Sequence, residues 1–197
     1  MFYKCLAVVL RFIFKVFFKA EVIGVENVPK EGAVILAANH ISNFDPPFLG
    51  SFSPRPVHYM AKIELFQNKI FAKIISALYA FPVKRGTADK GAIKTATNIL
   101  KNNEVLGIFP EGTRSKTGEV GKGEVGVALL ASLANAAVVP VALRGTNEMF
   151  SENKTFPKLT LVFGEPIKFE GNRKDREELS AFSDKIIDEI KKLLENS

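Results

Sequence analysis

The stretch "GAVILAANHISNFDPPF", residues 32–48, carries both the fold and the question of what the chain does. Its apolar half, Ala33 to Ala38, reads as a buried strand. The strand stops at Asn39-His40, Asp45 follows the histidine within one short turn, and "PPFLGSF" then starts a short helix. Two readings of the polar segment compete. One is a plain loop, with an Asx turn at Asn43 and a Pro46-Pro47 stop. The other is a general base, His40, and the carboxylate that holds it, Asp45.

Working outward, the segments after this unit keep alternating. "PVHYMA" reads as a strand, "ELFQNKIFAKIISAL" as a helix, and "YAFPVKRG" as a strand ending in a basic turn. "TADKGAIKTATNILKNN" has helical periodicity, with Thr87 as N-cap and Ala92, Ala96, Ile99 and Leu100 facing inward. "EVLGIFPEGTRS" is a strand running into a loop, "EVGVALLASLAN" an apolar helix, and "AAVVPVAL" and "KLTLVFGEPI" are strands. "DREELSAFSDKIIDEIKKLLE" closes the chain as an amphipathic helix. "GVENVP" is a turn-rich link near the start. This order predicts one α/β domain with a largely parallel central sheet flanked by helices. Ligands of such sheets gather beyond the carboxyl ends of the strands. His40, Arg85 and Glu111 all fall just past predicted strand ends.

With 197 residues, the chain is long enough to bury a core as a single domain. Its one cysteine, Cys5, excludes an intramolecular disulfide framework and reads as a buried structural thiol. One cysteine and two distant histidines match no zinc spacing, so no metal is expected. The net charge of +6 favours a polyanionic partner. No RNP-like aromatic signature, zinc finger or basic Gly-rich run points to nucleic acid.

The first 20 residues, "MFYKCLAVVLRFIFKVFFKA", are apolar apart from Lys4, Arg11, Lys15 and Lys19. On a helix those cations share one narrow sector, and Phe2, Leu6, Val9, Leu10, Ile13, Phe14, Val16, Phe17 and Phe18 cover the rest. The apolar runs are too short to span a bilayer, and there is no cleavage site for a signal peptide. The pattern suits a helix lying in an anionic membrane surface, with the alternative of a helix packed into the core. The expected division is a membrane-interface helix over 1–20 and a catalytic or binding domain over 21–197. The expected place is the cytoplasmic face of the cell membrane, held peripherally or as a monotopic protein.

Beyond His40 and Asp45, "FPEGTRS" at 109–115 presents the carboxylate of Glu111, several backbone N–H groups and Arg114. Lys84-Arg85-Gly86 adds two more cations. Each element has a bland counterpart: a polar turn, a surface ion pair, solvated loop charges. Lys122 reads as a plain loop lysine and His58 as structural.

Taken in order, the blocks have a family likeness. Asn39-His40 with Asp45, Phe81-Pro82-Val83-Lys84-Arg85-Gly86, Phe109-Pro110-Glu111-Gly112-Thr113-Arg114-Ser115 and Val139-Pro140-Val141 resemble the four-block pattern of the glycerolipid acyltransferases. Among these they are most similar to the bacterial 1-acylglycerol-3-phosphate acyltransferases. Arg144-Gly145-Thr146 also resembles the family. The resemblance implies that His40, oriented by Asp45, deprotonates a lysophospholipid hydroxyl that then attacks an acyl thioester. It implies that Arg85, Glu111, Gly112 and Arg114, with Lys84 and Thr113 beside them, hold the acceptor and its phosphate. The Val139-Pro140 block would be an apolar turn that shapes the site. The partners implied are membrane lipids, a lysophospholipid acceptor, and acyl-CoA or acyl carrier protein as donor, with no further cofactor. Other readings remain: an acyltransferase using glycerol 3-phosphate or another lysolipid, or a membrane-binding protein without catalysis. A serine esterase lacks its G-x-S-x-G elbow.

Overall fold

The computed structural model describes residues 2–84, 89–115, 117–151 and 156–196. A seven-stranded sheet forms the centre. Its strands are β1 (Glu21–Ile23), β2 (Val34–Ala38), β3 (Val57–Lys62), β4 (Ala80–Val83), β5 (Val105–Ile108), β6 (Ala137–Arg144) and β7 (Thr160–Phe163). They lie in the order β1-β7-β6-β2-β5-β3-β4, and every pairing is parallel except β6 with β7. The helices are α1 (Phe2–Phe17), α2 (Asp45–Phe52), α3 (Lys69–Ala77), α4 (Lys90–Lys101), α5 (Gly126–Ala134) and α6 (Arg176–Glu195).

β2 sits between β5 and β6, and all five of its residues are buried, as its uninterrupted apolar run demands. Its side chains alternate between two cores. Val34, Leu36 and Ala38 face Phe14, Phe18, Phe48, Leu49 and Phe52 of α1 and α2 and the loop after α1. Ile35 and Ala37 face Ala96 and Leu100 of α4, Ala128 of α5 and Ile186 of α6. Because β2 pairs in register with both neighbours, the carboxyl ends of β2, β5 and β6 share one rim.

Several local expectations change. The helix over 64–78 is split into a 3-10 turn at Ile63–Phe66 and α3, which Asn68 caps by accepting from the N–H groups of Ile70 and Phe71. α4 is capped by Asp89 rather than Thr87, which lies outside the described residues; its inward residues are those expected. The Asp89 carboxylate accepts from Ala92 N and also from Lys84 N, tying β4 to the helix start. β1 has no signature in sequence: three residues become a strand only because β7 offers them a ladder. Val139-Pro140 is no turn but lies within β6, with Pro140 opposite Ala37.

α1 is neither wholly a core helix nor wholly a surface one. Phe14 and Phe18 enter the core, while Phe2, Val8, Val9, Phe12, Val16 and Phe17 are exposed. Arg11 leaves the expected cationic stripe: its Nε and Nη2 donate to Ser51 O at 2.9 and 2.7 Å, and its guanidinium lies over the Phe52 ring. Cys5, expected to be buried, is exposed, because α1 is apolar on both faces and only one of them packs.

Candidate active site

Asn39, the first residue past β2, is almost fully buried and bonds the backbone of β6 twice. Its Nδ2 donates to Leu143 O at 2.9 Å, and Leu143 N donates to its Oδ1 at 2.7 Å. A side chain thus continues the β2–β6 ladder one step beyond the strand. This aims the next residue, His40, at the rim.

There His40 is held from both ends of its peptide. Its N–H donates to Glu111 Oε1 at 2.9 Å, and its carbonyl accepts from Ser115 N at 2.8 Å. The imidazole Nδ1 lies 2.7 Å from Asp45 Oδ2. That oxygen also accepts from the N–H groups of Ile41 and Ser42, each at 2.7 Å. The other oxygen, Oδ1, accepts from the hydroxyl of Thr146 at 2.5 Å. Asp45 has no solvent exposure, and as the first residue of α2 its charge also lies where the helix favours an anion. The turn between the pair is closed by Ser42, whose Oγ accepts from Phe44 N, not by an Asx turn at Asn43.

The consequence is chemical. An ionised carboxylate accepts only, so Nδ1 carries the ring proton and Nε2 keeps its lone pair. Four donors hold the carboxylate, and the ring of Phe109 stacks on the imidazole with centroids 4.0 Å apart and planes 20° apart. His40 itself is 7% exposed. The arrangement is that of an oriented general base reached from the sheet rim.

The second expected group, the 109–115 loop, reaches the same place, and there the Glu111 carboxylate is turned to the backbone. Its Oε1 takes the His40 N–H and its Oε2 takes the N–H of Gly121 at 3.1 Å. Both oxygens are engaged by backbone donors, so the carboxylate clamps two loops together under the base. Gly112 has φ +68, a left-handed conformation that glycine adopts without strain, and its N–H bonds back to Phe109 O. Thr113 and Arg114 are exposed beyond that turn, next to the Ser115 that bonds His40. Lys84 is exposed at the end of β4, and Arg85 lies outside the described residues. Lys122 is an exposed loop residue. Among the described residues no three His, Cys, Asp or Glu side chains gather as a metal site. No helix among them is long and apolar enough to cross a membrane.

His58 stands apart from this site. It pairs with Glu104 at 3.4 Å beside the ring of Tyr79, and burial holds its imidazole below the ordinary range against the pull of Glu104. Thr146 is the functional residue that sequence reasoning passed over as a partner for Asp45. Its signal was the strand end: Gly145-Thr146 follows directly on Arg144, the last residue of β6, the strand next to β2.

Comparison with known proteins identifies the family. Residues 19–144 match the family model described as Acyltransferase. Over 97% of this chain and 96% of its own length, the 1-acyl-sn-glycerol-3-phosphate acyltransferase of Bacillus subtilis is 34% identical. The Streptococcus pneumoniae enzyme of the same name is 31% identical over 83% of this chain and 61% of its own. The crystal structure of the 1-acyl-sn-glycerophosphate acyltransferase of Thermotoga maritima superposes with a TM-score of 0.76 at 26% identity, covering 97% of this chain and 79% of that one. With the matched segment spanning the His40–Asp45 pair, the loop that clamps it and the β6 backbone that aligns it, the chain belongs to the Acyltransferase family, whose members transfer acyl groups.

Proposed function

We propose that the protein transfers a fatty acyl group from an acyl thioester to the free hydroxyl of 1-acylglycerol 3-phosphate, giving phosphatidic acid for phospholipid synthesis. The observation that carries this reading is the buried, four-donor Asp45 holding Nδ1 of His40, on a chain similar along its length to enzymes with that name. Nε2 of His40 removes the proton of the acceptor hydroxyl as its oxygen attacks the thioester carbonyl carbon. The tetrahedral intermediate collapses, the carbon–sulfur bond breaks, and the imidazolium returns the proton to the departing thiolate. Asp45 stabilises the imidazolium between the two steps. The acceptor's phosphate is read by Arg114 and Lys84, together with Arg85 from the basic turn of the sequence. A guanidinium suits the task because its planar fork bonds two phosphate oxygens at once. Glu111 and Gly112 serve by giving the loop its shape, and Thr113 adds an exposed hydroxyl beside Arg114.

Acceptor and product are bilayer lipids, so the enzyme works from the membrane surface, held peripherally at the cytoplasmic face by the outward side of α1. The donor is acyl-CoA or acyl carrier protein. Purified protein given 1-acylglycerol 3-phosphate, glycerol 3-phosphate and a phosphate-free lysolipid, each with both donor types, tests the whole reading by mass analysis of the product. Phosphatidic acid from the first acceptor alone is expected. Preferential acylation of another acceptor would overturn the substrate assignment, and thiol release without any acceptor would make the protein a hydrolase.

A further inference from the structure

A helix on a water-soluble surface normally turns its apolar stripe inward. α3 does the reverse. None of its residues is buried, and Ile70, Phe71 and Ile74 are 76%, 44% and 45% exposed. The 3-10 turn before it adds Ile63 and Leu65, at 45% and 44%. Ala72, Ile75 and Leu78 make the contact with the body, half-buried. Exposed lysines border the patch: Lys69 and Lys73 on the helix and Lys62 just ahead of the turn, the last paired with Glu64 at 3.5 Å.

The patch lies on the same sheet face as α1. β2 to β3 and β3 to β4 are successive parallel crossovers stepping toward the same sheet edge, so right-handed connections place α2 and α3 on one face. α1 lies on that face too, packed through Phe14 against Phe48 and Phe52 of α2. The rings of Tyr3 and Tyr79, at the start of α1 and just past the end of α3, stand 5.2 Å apart. Two helices on one side of the molecule therefore both direct Ile, Val and Phe at the solvent, edged by lysines.

We infer that α3 and its preceding 3-10 turn form a second membrane-contacting element beside α1, so that the protein rests on an anionic phospholipid bilayer through two amphipathic feet; this rests on the reading of the acceptor as a bilayer lipid. The occupant is a lipid surface because the apolar residues are spread over a convex helix with cations at the border. That arrangement suits acyl chains below and anionic headgroups around. Two contacts also fix orientation, since one helix alone leaves the body free to roll about its axis.

The chain contains no tryptophan, so a single substitution supplies a clean reporter. Phe71→Trp on α3 and, separately, Phe12→Trp on α1 would be mixed with phosphatidylglycerol-containing vesicles carrying brominated acyl chains. Both emissions are expected to shift to the blue and be quenched. Ile70→Gln with Ile74→Gln should weaken partitioning onto those vesicles by about tenfold or more, from the apolar surface lost. Its circular dichroism and Tm should be unchanged, since no α3 residue is buried. Quenching of Phe12→Trp alone would overturn the role of α3 and leave attachment through α1 standing. No response from either reporter would overturn both. A blue-shifted Phe71→Trp without vesicles, in a protein that elutes as a dimer, would assign the face to a second copy of the chain instead.

Discussion

Asp45 accepts four hydrogen bonds, and its two side-chain donors, His40 and Thr146, can be removed singly. His40→Ala is expected to abolish transfer, leaving less than about a hundredth of the rate, because general-base catalysis of this kind is worth ~10²–10⁴-fold. Steady-state rates with saturating donor and acceptor would check it. Thr146→Val keeps the shape and removes the donor to Oδ1, leaving that oxygen buried and short of a partner. It should lower stability by about 1.5–3 kcal/mol, read from denaturant unfolding, and lower kcat with little change in KM. Glu111 and Arg114 should separate in kinetics. Glu111→Gln loses one of two backbone clamps and should lower kcat while the acceptor KM holds. Arg114→Ala should raise the acceptor KM by about tenfold and leave the donor KM unchanged.

Elements place these residues through a few close approaches. Gly107 in β5 lies flat under the ring of Tyr59 in β3, closer than any Cβ could tolerate. The Tyr59 ring is parallel to within 15° of Phe109, which in turn covers His40. Gly107→Ala should therefore force the tyrosine ring aside, cost about 1–3 kcal/mol of stability in denaturant unfolding, and reduce activity through Phe109. The Tyr59 hydroxyl is buried with no partner among the described residues, and that burial, with Tyr3 and Asp45 nearby, pushes its pKa well up. β3 also contributes to the pH response through His58. Since burial holds the His58 pKa below its ordinary ~6.5, the unfolded chain binds the proton more readily. Stability is unaffected by His58 above that value and is lost as pH falls from there toward the folded pKa. A Tm profile between pH 7.5 and 5, set by the experimenter, should flatten on its acid side in His58→Gln; an unchanged slope would place the acid sensitivity elsewhere.

Over the whole molecule, one sheet face is covered by α1, α2 and α3, and it is the side that meets lipid in the proposed function. Charge there is worth testing with Arg11 left alone, because that side chain is spent on Ser51 O. Replacing Lys4, Lys15 and Lys19 by glutamine should weaken sedimentation with anionic vesicles by roughly one to two orders of magnitude and change little with neutral ones. Salt added to the parent protein should reproduce part of that loss. The sequence by itself determined the alternation of strands and helices, the buried run of β2 and the inward face of α4, and it brought His40 and Asp45 within reach of each other. All of these depend on neighbours within a few residues, where periodicity and spacing act directly. It did not determine β1, which exists only through its ladder to β7, nor the cap of α4, which Asp89 takes because it also reaches Lys84 N. It offered four cations as one stripe, whereas packing against α2 drew Arg11 inward and left Cys5 outside. Only the tertiary structure made Glu111 a clamp and Thr146 a partner of Asp45. Their bonds span 71 and 101 residues, and such contacts form only when β5 and β6 close on either side of β2 and bring three strand ends to one rim.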